Sequence, residues 1–170
     1  MKAVINSSPL ISLSLLGQLE LLPKIYDEII IPKAVYHEVF VKGKGKTGSK
    51  IIHTLNNFVI LEASNKMLLD SIMLELDEGE AEVIALAREK GIQNVIIDEF
   101  AGRQYASLLG LNVTGTLGIL IIGKKLGFLP NIKYLMDIML KYKRYISPEL
   151  YLSVLKKAGE YHEGNDGKGF

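Results

Sequence analysis

Four residues stand where an α/β protein commonly does its chemistry: Asn6, Glu38, Glu80 and Asp98. Asn6 follows the apolar run Ala3-Val4-Ile5, and Asp98 follows Val95-Ile96-Ile97. In an open parallel sheet, ligands bind beyond the carboxyl ends of the strands, near the switch in strand order. Parallel strands would bring both residues out at the same edge. Glu80 precedes Val83, Ile84 and Ala87 at helical spacing. It therefore sits at the N-terminal end of a buried stripe, with Glu82, Arg88 and Glu89 mostly off it. Glu38 follows Ala34 and Val35 on an apolar side of its own helix. The carboxylates Glu38, Glu80 and Asp98 cannot approach one another without a cation. Hard oxygen ligands with no Cys or His suit Mg²⁺ or Mn²⁺, ions that neutralise phosphoryl oxygens in phosphodiester cleavage.

Each of these residues has a structural reading as well. Asp77-Glu78-Gly79-Glu80 fits a capping box, with Asp77 as N-cap and Glu80 reaching back. Asp98 fits the N-cap of a helix beginning at Glu99. Glu38 fits a helix-end carboxylate, although the helix dipole disfavours an acid there. From residue chemistry alone both readings stand.

Composition narrows the classes. The chain has 170 residues, no cysteine, three histidines and a hydrophobic fraction of 48%. That length suits one domain that folds without disulfides or a structural metal. The missing cysteines exclude disulfide scaffolds, zinc fingers, iron–sulfur clusters and thiol catalysis. Net charge is +1, so a globally basic nucleic-acid binder is not indicated, while a local basic patch stays open. The start Met1-Lys2-Ala3-Val4-Ile5 runs into polar Asn6-Ser7-Ser8, which is no signal-peptide core. The apolar run Leu117–Ile122 is too short to span a bilayer. A soluble cytoplasmic protein with no membrane partner is expected.

The elements that must position these residues alternate. Ser7-Ser8-Pro9 reads as a helix start with a Ser cap and Pro at the first helical position. Strands are expected at Ala3–Ile5, Ile29–Ile31, Phe58–Leu61, Val95–Ile97 and Leu111–Thr114. Helices are expected from Pro32 to about Val39, over Gly79–Lys90 and over Glu99–Leu109. Thr116 can cap a helix running to about Leu126, ahead of Gly127. Ser147-Pro148-Glu149 opens a last helix that ends at Gly159. Strand–helix alternation predicts an α/β fold with a mostly parallel sheet. The stretch Lys42–Lys50 is Gly and Lys with no apolar residue, a mobile basic loop that either is merely solvated or tracks a phosphate backbone. It is not a P-loop, because Ser49 stands where that motif needs Lys.

Four segments, in order, resemble a PIN-domain protein, a family of small α/β metal-dependent nucleases that includes VapC-type toxins. Val4-Ile5-Asn6-Ser7-Ser8-Pro9-Leu10-Ile11 is similar to the opening strand and D-x-S/N segment. Ile31-Pro32 through Val35-Tyr36-His37-Glu38-Val39 is similar to the segment carrying the second acid. Gly79-Glu80-Ala81-Glu82-Val83-Ile84-Ala85-Leu86-Ala87 resembles the D-A-x-I-A-A-x-A helix, with Glu80 at the third acidic position. Val95-Ile96-Ile97-Asp98, Arg103 and Leu109-Gly110-Leu111 resemble the next strand, its terminal acid and the following helix. Asp77-Glu78-Gly79-Glu80 and Thr114-Gly115-Thr116-Leu117-Gly118 look especially like an uncharacterised, mostly prokaryotic subgroup.

The resemblance implies a three-layer α/β/α sandwich with a parallel sheet of about four or five strands and the first strand central. It implies a PIN-like domain over 1–130 and C-terminal helices over 131–159 that cover the sheet or form a dimer surface, while the Gly-rich, polar tail over 160–170 is expected to be disordered on its composition. It implies a Mg²⁺- or Mn²⁺-dependent endoribonuclease that hydrolyses RNA with metal-activated water, as the toxin of a toxin–antitoxin pair, with an antitoxin protein as partner and a homodimer as the assembly. Asn6, Glu38, Glu80 and Asp98 would hold the metal, with Glu38, Glu80 and Asp98 catalytic. Ser7, Ser8, Arg103, Lys42, Lys44 and Lys46 would bind substrate.

The chain also departs from the pattern. Asn6 stands where the family has Asp, which removes a negative charge and should weaken Mg²⁺ binding. Glu80 carries one more methylene than the commoner Asp. Thr114 and Thr116 stand where a further acid is often found. Asp77 and Glu99 are the acids near enough to compensate, Glu99 being expected to point away at its helix start. Two other readings follow: a catalytically weakened PIN scaffold that binds nucleic acid or a protein, and a different α/β phosphohydrolase acting on a small phosphate ester.

Overall fold

The computed structural model describes residues 1–42 and 57–161. Lys44 and Lys46, most of the Gly-Lys stretch and the last nine residues lie outside them. The chain divides into two compact units, Met1–Thr116 and Leu117–Phe170.

The first unit is built on one sheet of five strands: β1 (Lys2–Ile5), β2 (Glu28–Pro32), β3 (Phe58–Leu61), β4 (Asn94–Ile96) and β5 (Asn112–Thr114). Their order is β3-β2-β1-β4-β5, and every pairing is parallel. β1 is central, with Val4 opposite Ile30 on one side and Val95 on the other. The central strands read as continuous apolar runs because helices cover both faces: Ala3, Val4, Ile5, Ile29, Ile31, Val95, Ile96 and Ile97 are fully buried. The helices of this unit are α1 (Ser7–Leu15), α2 (Leu21–Ile25), α3 (Lys33–Tyr36), α4 (Lys66–Ile72), α5 (Glu78–Glu89) and α6 (Phe100–Leu108). A wider π-helical turn, His37–Lys42, continues α3. This is the expected α/β/α sandwich.

Strand order reverses between β1 and β4, which makes the space beyond their carboxyl ends the switch-point crevice. The pairing runs on past the regular strands: the Asn6 amide donates to the Ile96 carbonyl at 2.9 Å, and the Ile97 amide to the Thr114 carbonyl at 2.8 Å.

Several local expectations change. The N-cap of α1 is Asn6, not a serine, so Ser7 opens the helix and Pro9 falls at its third position. Pro has no amide to donate, and the third position of a helix asks for none within the helix. α5 is buried along the whole run Glu80–Ala87, not along one stripe, because it lies over the centre of the sheet. Glu82 is therefore inside. Its carboxylate accepts from the amides of Ala34 at 2.7 Å and Ala63 at 3.1 Å, fixing the start of α3 and the chain beyond β3.

The second unit carries α7 (Thr116–Lys125), whose first residue belongs to the first unit, α8 (Lys133–Lys141) and α9 (Pro148–Ala158). Ser147 caps α9 through the Leu150 amide at 3.2 Å, and Gly159 ends it at φ +68°. Glu160 accepts from the amides of Ile132 at 2.7 Å and Lys133 at 2.9 Å and pairs with Lys124. That carboxylate satisfies the free donors at the start of α8.

Candidate functional site

Three chain turns meet beyond β1 and β4. The first is Asn6 at the β1–α1 junction, 3% exposed. The second is the start of α5, where Asp77 Oδ1 accepts from the Glu80 amide at 2.8 Å. That is the expected cap, and it holds Glu80 in the first helical turn with 5% of its surface exposed. The third is the β4–α6 junction, which carries Asp98 and Glu99.

Glu99 turns into this site. It accepts from Asn6 Nδ2 at 3.3 Å through one oxygen and from Ser8 Oγ through the other. As the N-cap of α6 it makes no side-chain cap to its own helix. Its longer side chain reaches across to α1 instead, which is why a reading based on helix starts sends it the wrong way. The only sequence signal for it was its place beside Asp98 in a site short of one acid.

Among the described residues, two buried side-chain atoms have no hydrogen-bond partner: Asn6 Oδ1 and Glu80 Oε1. Burial is the main cause that lifts the Glu80 carboxyl above its ordinary range, and the negative charges of Asp77 and Glu99 add to it. The amides of Asp77 and Gly102 offset part of that rise. Backbone crowds both atoms. A Cβ on Gly79 would meet Asn6 Oδ1 at 3.3 Å, and one on Gly102 would meet Glu80 Oε1 at 2.5 Å. The sequence places glycine where the helices must let an acceptor lie against the backbone.

Asp98 is committed elsewhere. Its two oxygens accept from the Thr116 amide at 2.7 Å and the Thr116 hydroxyl at 2.6 Å. It thus caps the start of α7 from across the sheet edge, rather than the helix that follows it in sequence. Burial raises its carboxyl, the two Thr116 bonds lower it, Glu99 raises it and Arg103 lowers it. Arg103 Nη1 donates to the Ile97 carbonyl at 2.9 Å. A Cβ on Gly115 would sit 2.7 Å from Asp98 Oδ1 and 2.9 Å from Arg103 Nη1.

The expected site residues are therefore brought together in part. Asn6, Ser8, Glu80 and Glu99, the acid expected to point away, share one end of the sheet. Ser7 is buried beside them in the first turn of α1. Asp98 and Arg103 lie at the adjoining strand end. Glu38 is exposed in the π-helical turn, as is Lys42 at its end. Among the described residues, no three Asp, Glu or His side chains are grouped closely enough to hold a metal ion.

A family model described as a PIN domain matches residues 2–160. The chain belongs to the PIN-domain family. No curated protein matches it. The PIN domain is a nuclease-type fold, and PIN domains generally use divalent metals. The donor chemistry here fits such an ion: Asn6 Oδ1 and Glu80 Oε1 are hard oxygens, buried and unpartnered, with the Glu99 carboxylate next to Asn6. Among the described residues of this PIN domain, no helix is long and apolar enough to cross a membrane.

Proposed function

We propose that this PIN domain is a metal-dependent ribonuclease. The reading rests above all on the two unpartnered buried oxygens, Asn6 Oδ1 and Glu80 Oε1, at the switch point of the sheet. Leaving a buried acceptor unmet costs about 1–3 kcal/mol, and a site that will receive a cation has a reason to bear that cost. Asn6 and Glu80 would hold Mg²⁺ or Mn²⁺, with Glu99 beside them. Asp98 and Glu38 would join only by giving up their present positions. A divalent ion bound there supplies the positive charge that stabilises phosphodiester hydrolysis.

The chain's own residues do the rest. Ser8 and Asn6 orient Glu99. Glu80, its carboxyl raised by burial, would be drawn into its charged form by a cation bound there. Arg103, anchored on the Ile97 carbonyl, presents its remaining guanidinium donors for a phosphate. Action as a toxin paired with an antitoxin protein, and assembly as a homodimer, belong to the same proposal through the likeness to VapC-type sequences. The test is cleavage of single-stranded RNA with added Mn²⁺. Glu80→Gln should abolish it, and undiminished cleavage by that variant would show the site to be elsewhere; loss of cleavage in Asp98→Asn would mean that Asp98 leaves Thr116 to join the metal.

A second reading is a PIN scaffold that binds without cutting. It is favoured by Asn6 in place of a carboxylate and by Asp98 being held on Thr116. Robust wild-type cleavage at physiological Mg²⁺ would sink it. A large gain of activity in Asn6→Asp over an inactive wild type would support it.

A further inference from the structure

Six turns among the described residues place a residue in the left-handed region, each just past a helical segment. Five use glycine: Gly17, Gly91, Gly110, Gly127 and Gly159. The sixth uses Lys143, at φ +60°. The turn itself is a regular helix ending. The Lys143 amide donates to the Leu140 carbonyl and the Arg144 amide to the Met139 carbonyl, both at 2.9 Å, which is the paired pattern that favours glycine at this position. The chain thus departs from its own practice here and accepts a strained backbone.

What the strained position carries is a basic and aromatic segment, Lys141-Tyr142-Lys143-Arg144-Tyr145. It holds three cations and no acid in a chain whose net charge is only +1. None of the three is in an ion pair with a described residue. Tyr142 is 59% and Tyr145 85% exposed. The segment is pinned at both ends, by α8 before it and by buried Ile146 after it.

We propose that this turn is a binding site for single-stranded RNA, with phosphates on Lys141, Lys143 and Arg144 and bases stacked on Tyr142 and Tyr145. Exposed rings interleaved with cations are the chemistry that holds an unpaired strand, whose bases are free to stack. A duplex offers phosphates but not base faces, and a lipid surface would want aliphatic side chains, of which this segment has none. That the strand is RNA rather than DNA rests on the nuclease reading above.

The test is fluorescence anisotropy of the full chain with a labelled single-stranded RNA 12-mer, in chelator so that nothing is cut. Tyr142→Leu with Tyr145→Leu should weaken binding about tenfold or more, and the corresponding Phe pair should restore most of it. Replacing the three cations by Ala should lower the slope of log affinity against log salt by about 2. Lys143→Gly should bind RNA more weakly yet melt at a higher temperature, an outcome that mere damage to the fold cannot produce. Wild-type affinity in the Tyr-to-Leu pair overturns the proposal. So does an equal loss of binding to poly-glutamate, which would point to an acidic protein surface. Cleavage in Mn²⁺ is measured apart. Binding that depends on the turn without any cleavage leaves this inference standing and removes the nuclease reading, and cleavage indifferent to the turn does the reverse.

Discussion

Asn6 donates its side-chain amide to the Glu99 carboxylate at 3.3 Å, joining the first strand's end to the fourth's across 93 positions of sequence. The bond shows how an amide would serve at the position where the PIN resemblance puts an acid. Asn6 offers an oxygen inward and spends its nitrogen neutralising the repulsion that a carboxylate would feel from Glu99.

Asn6→Asp removes that donor and sets two like charges together. In chelator the variant should lose about 1–3 kcal/mol of stability, measured by urea unfolding. Mn²⁺ should return more stability to the variant than to wild type, and calorimetry should show tighter Mn²⁺ binding. A variant whose unfolding ignores Mn²⁺ would contradict the site.

Glu80 governs a pH dependence whose sign can be worked out. Its folded carboxyl is raised above the ordinary value of 4.5, so the folded chain holds this proton more tightly than the unfolded one. Its contribution is therefore fully present below 4.5 and is lost as pH rises through the folded value. Glu80→Gln, compared in chelator, should be more stable than wild type at pH 7, and the advantage should fade as pH falls to 4.5. A constant difference across that range would mean Glu80 is not a strained acid.

Glu89 behaves in the opposite sense. It accepts from the Ser64 hydroxyl at 2.6 Å and from the amides of Ser64 at 2.8 Å and Asn65 at 3.2 Å, which holds its carboxyl at about 2. Its stabilisation is present above the ordinary 4.5 and lost as pH falls through about 2. Glu89→Gln should cost stability at pH 7, and the cost should shrink steadily as pH falls from 4.5 toward 2, by thermal melts.

Gly102→Ala separates fold from site. Ala gains about 1 kcal/mol over Gly inside a helix. Its Cβ, however, would lie 2.5 Å from Glu80 Oε1 and 3.1 Å from Ile97 Cγ2. The Glu80 carboxylate, at the end of a flexible side chain, must give way. The expected result is near-wild-type stability with Mn²⁺ affinity lowered about tenfold or more.

Glu82→Ala leaves the half-buried amide of Ala34 and the buried amide of Ala63 without an acceptor. It should cost about 2–4 kcal/mol by urea unfolding. A loss under about 0.5 kcal/mol would mean water replaces the carboxylate.

The sheet was legible because each strand is a short β-branched run bounded by polar or Pro residues, and Phe58–Leu61 coincides with its prediction. The places of Asn6 and Asp98 were legible for the same reason, since the runs that make strands also announce where they end, and that of Glu80 from the Asp77 cap and the helical spacing that follows it. Glu82 was not, since helical periodicity assumes one wet face and α5 is buried along Glu80–Ala87. The direction of Glu99 was misread because direction at a helix start is set by tertiary partners, here Asn6 and Ser8. Asp98 was half-read. Its place at a strand end was plain, while its pairing with Thr116 depends on how β5 leads into α7.

The central place of β1 has a consequence for how the protein is made. β1 leaves the ribosome ahead of the other four strands of its sheet and finds β2 early, yet its other neighbour is β4, with Ala3 opposite Asn94. At roughly 5–20 residues per second, about 5–20 s of translation separate the two strands. During that interval one edge of β1 is bare, and Asn6 has no Glu99 to meet. Until most of the first unit has emerged, the switch-point crevice cannot close around Asn6, and the exposed strand edge is the point at which a chaperone or a neighbouring nascent chain would take hold.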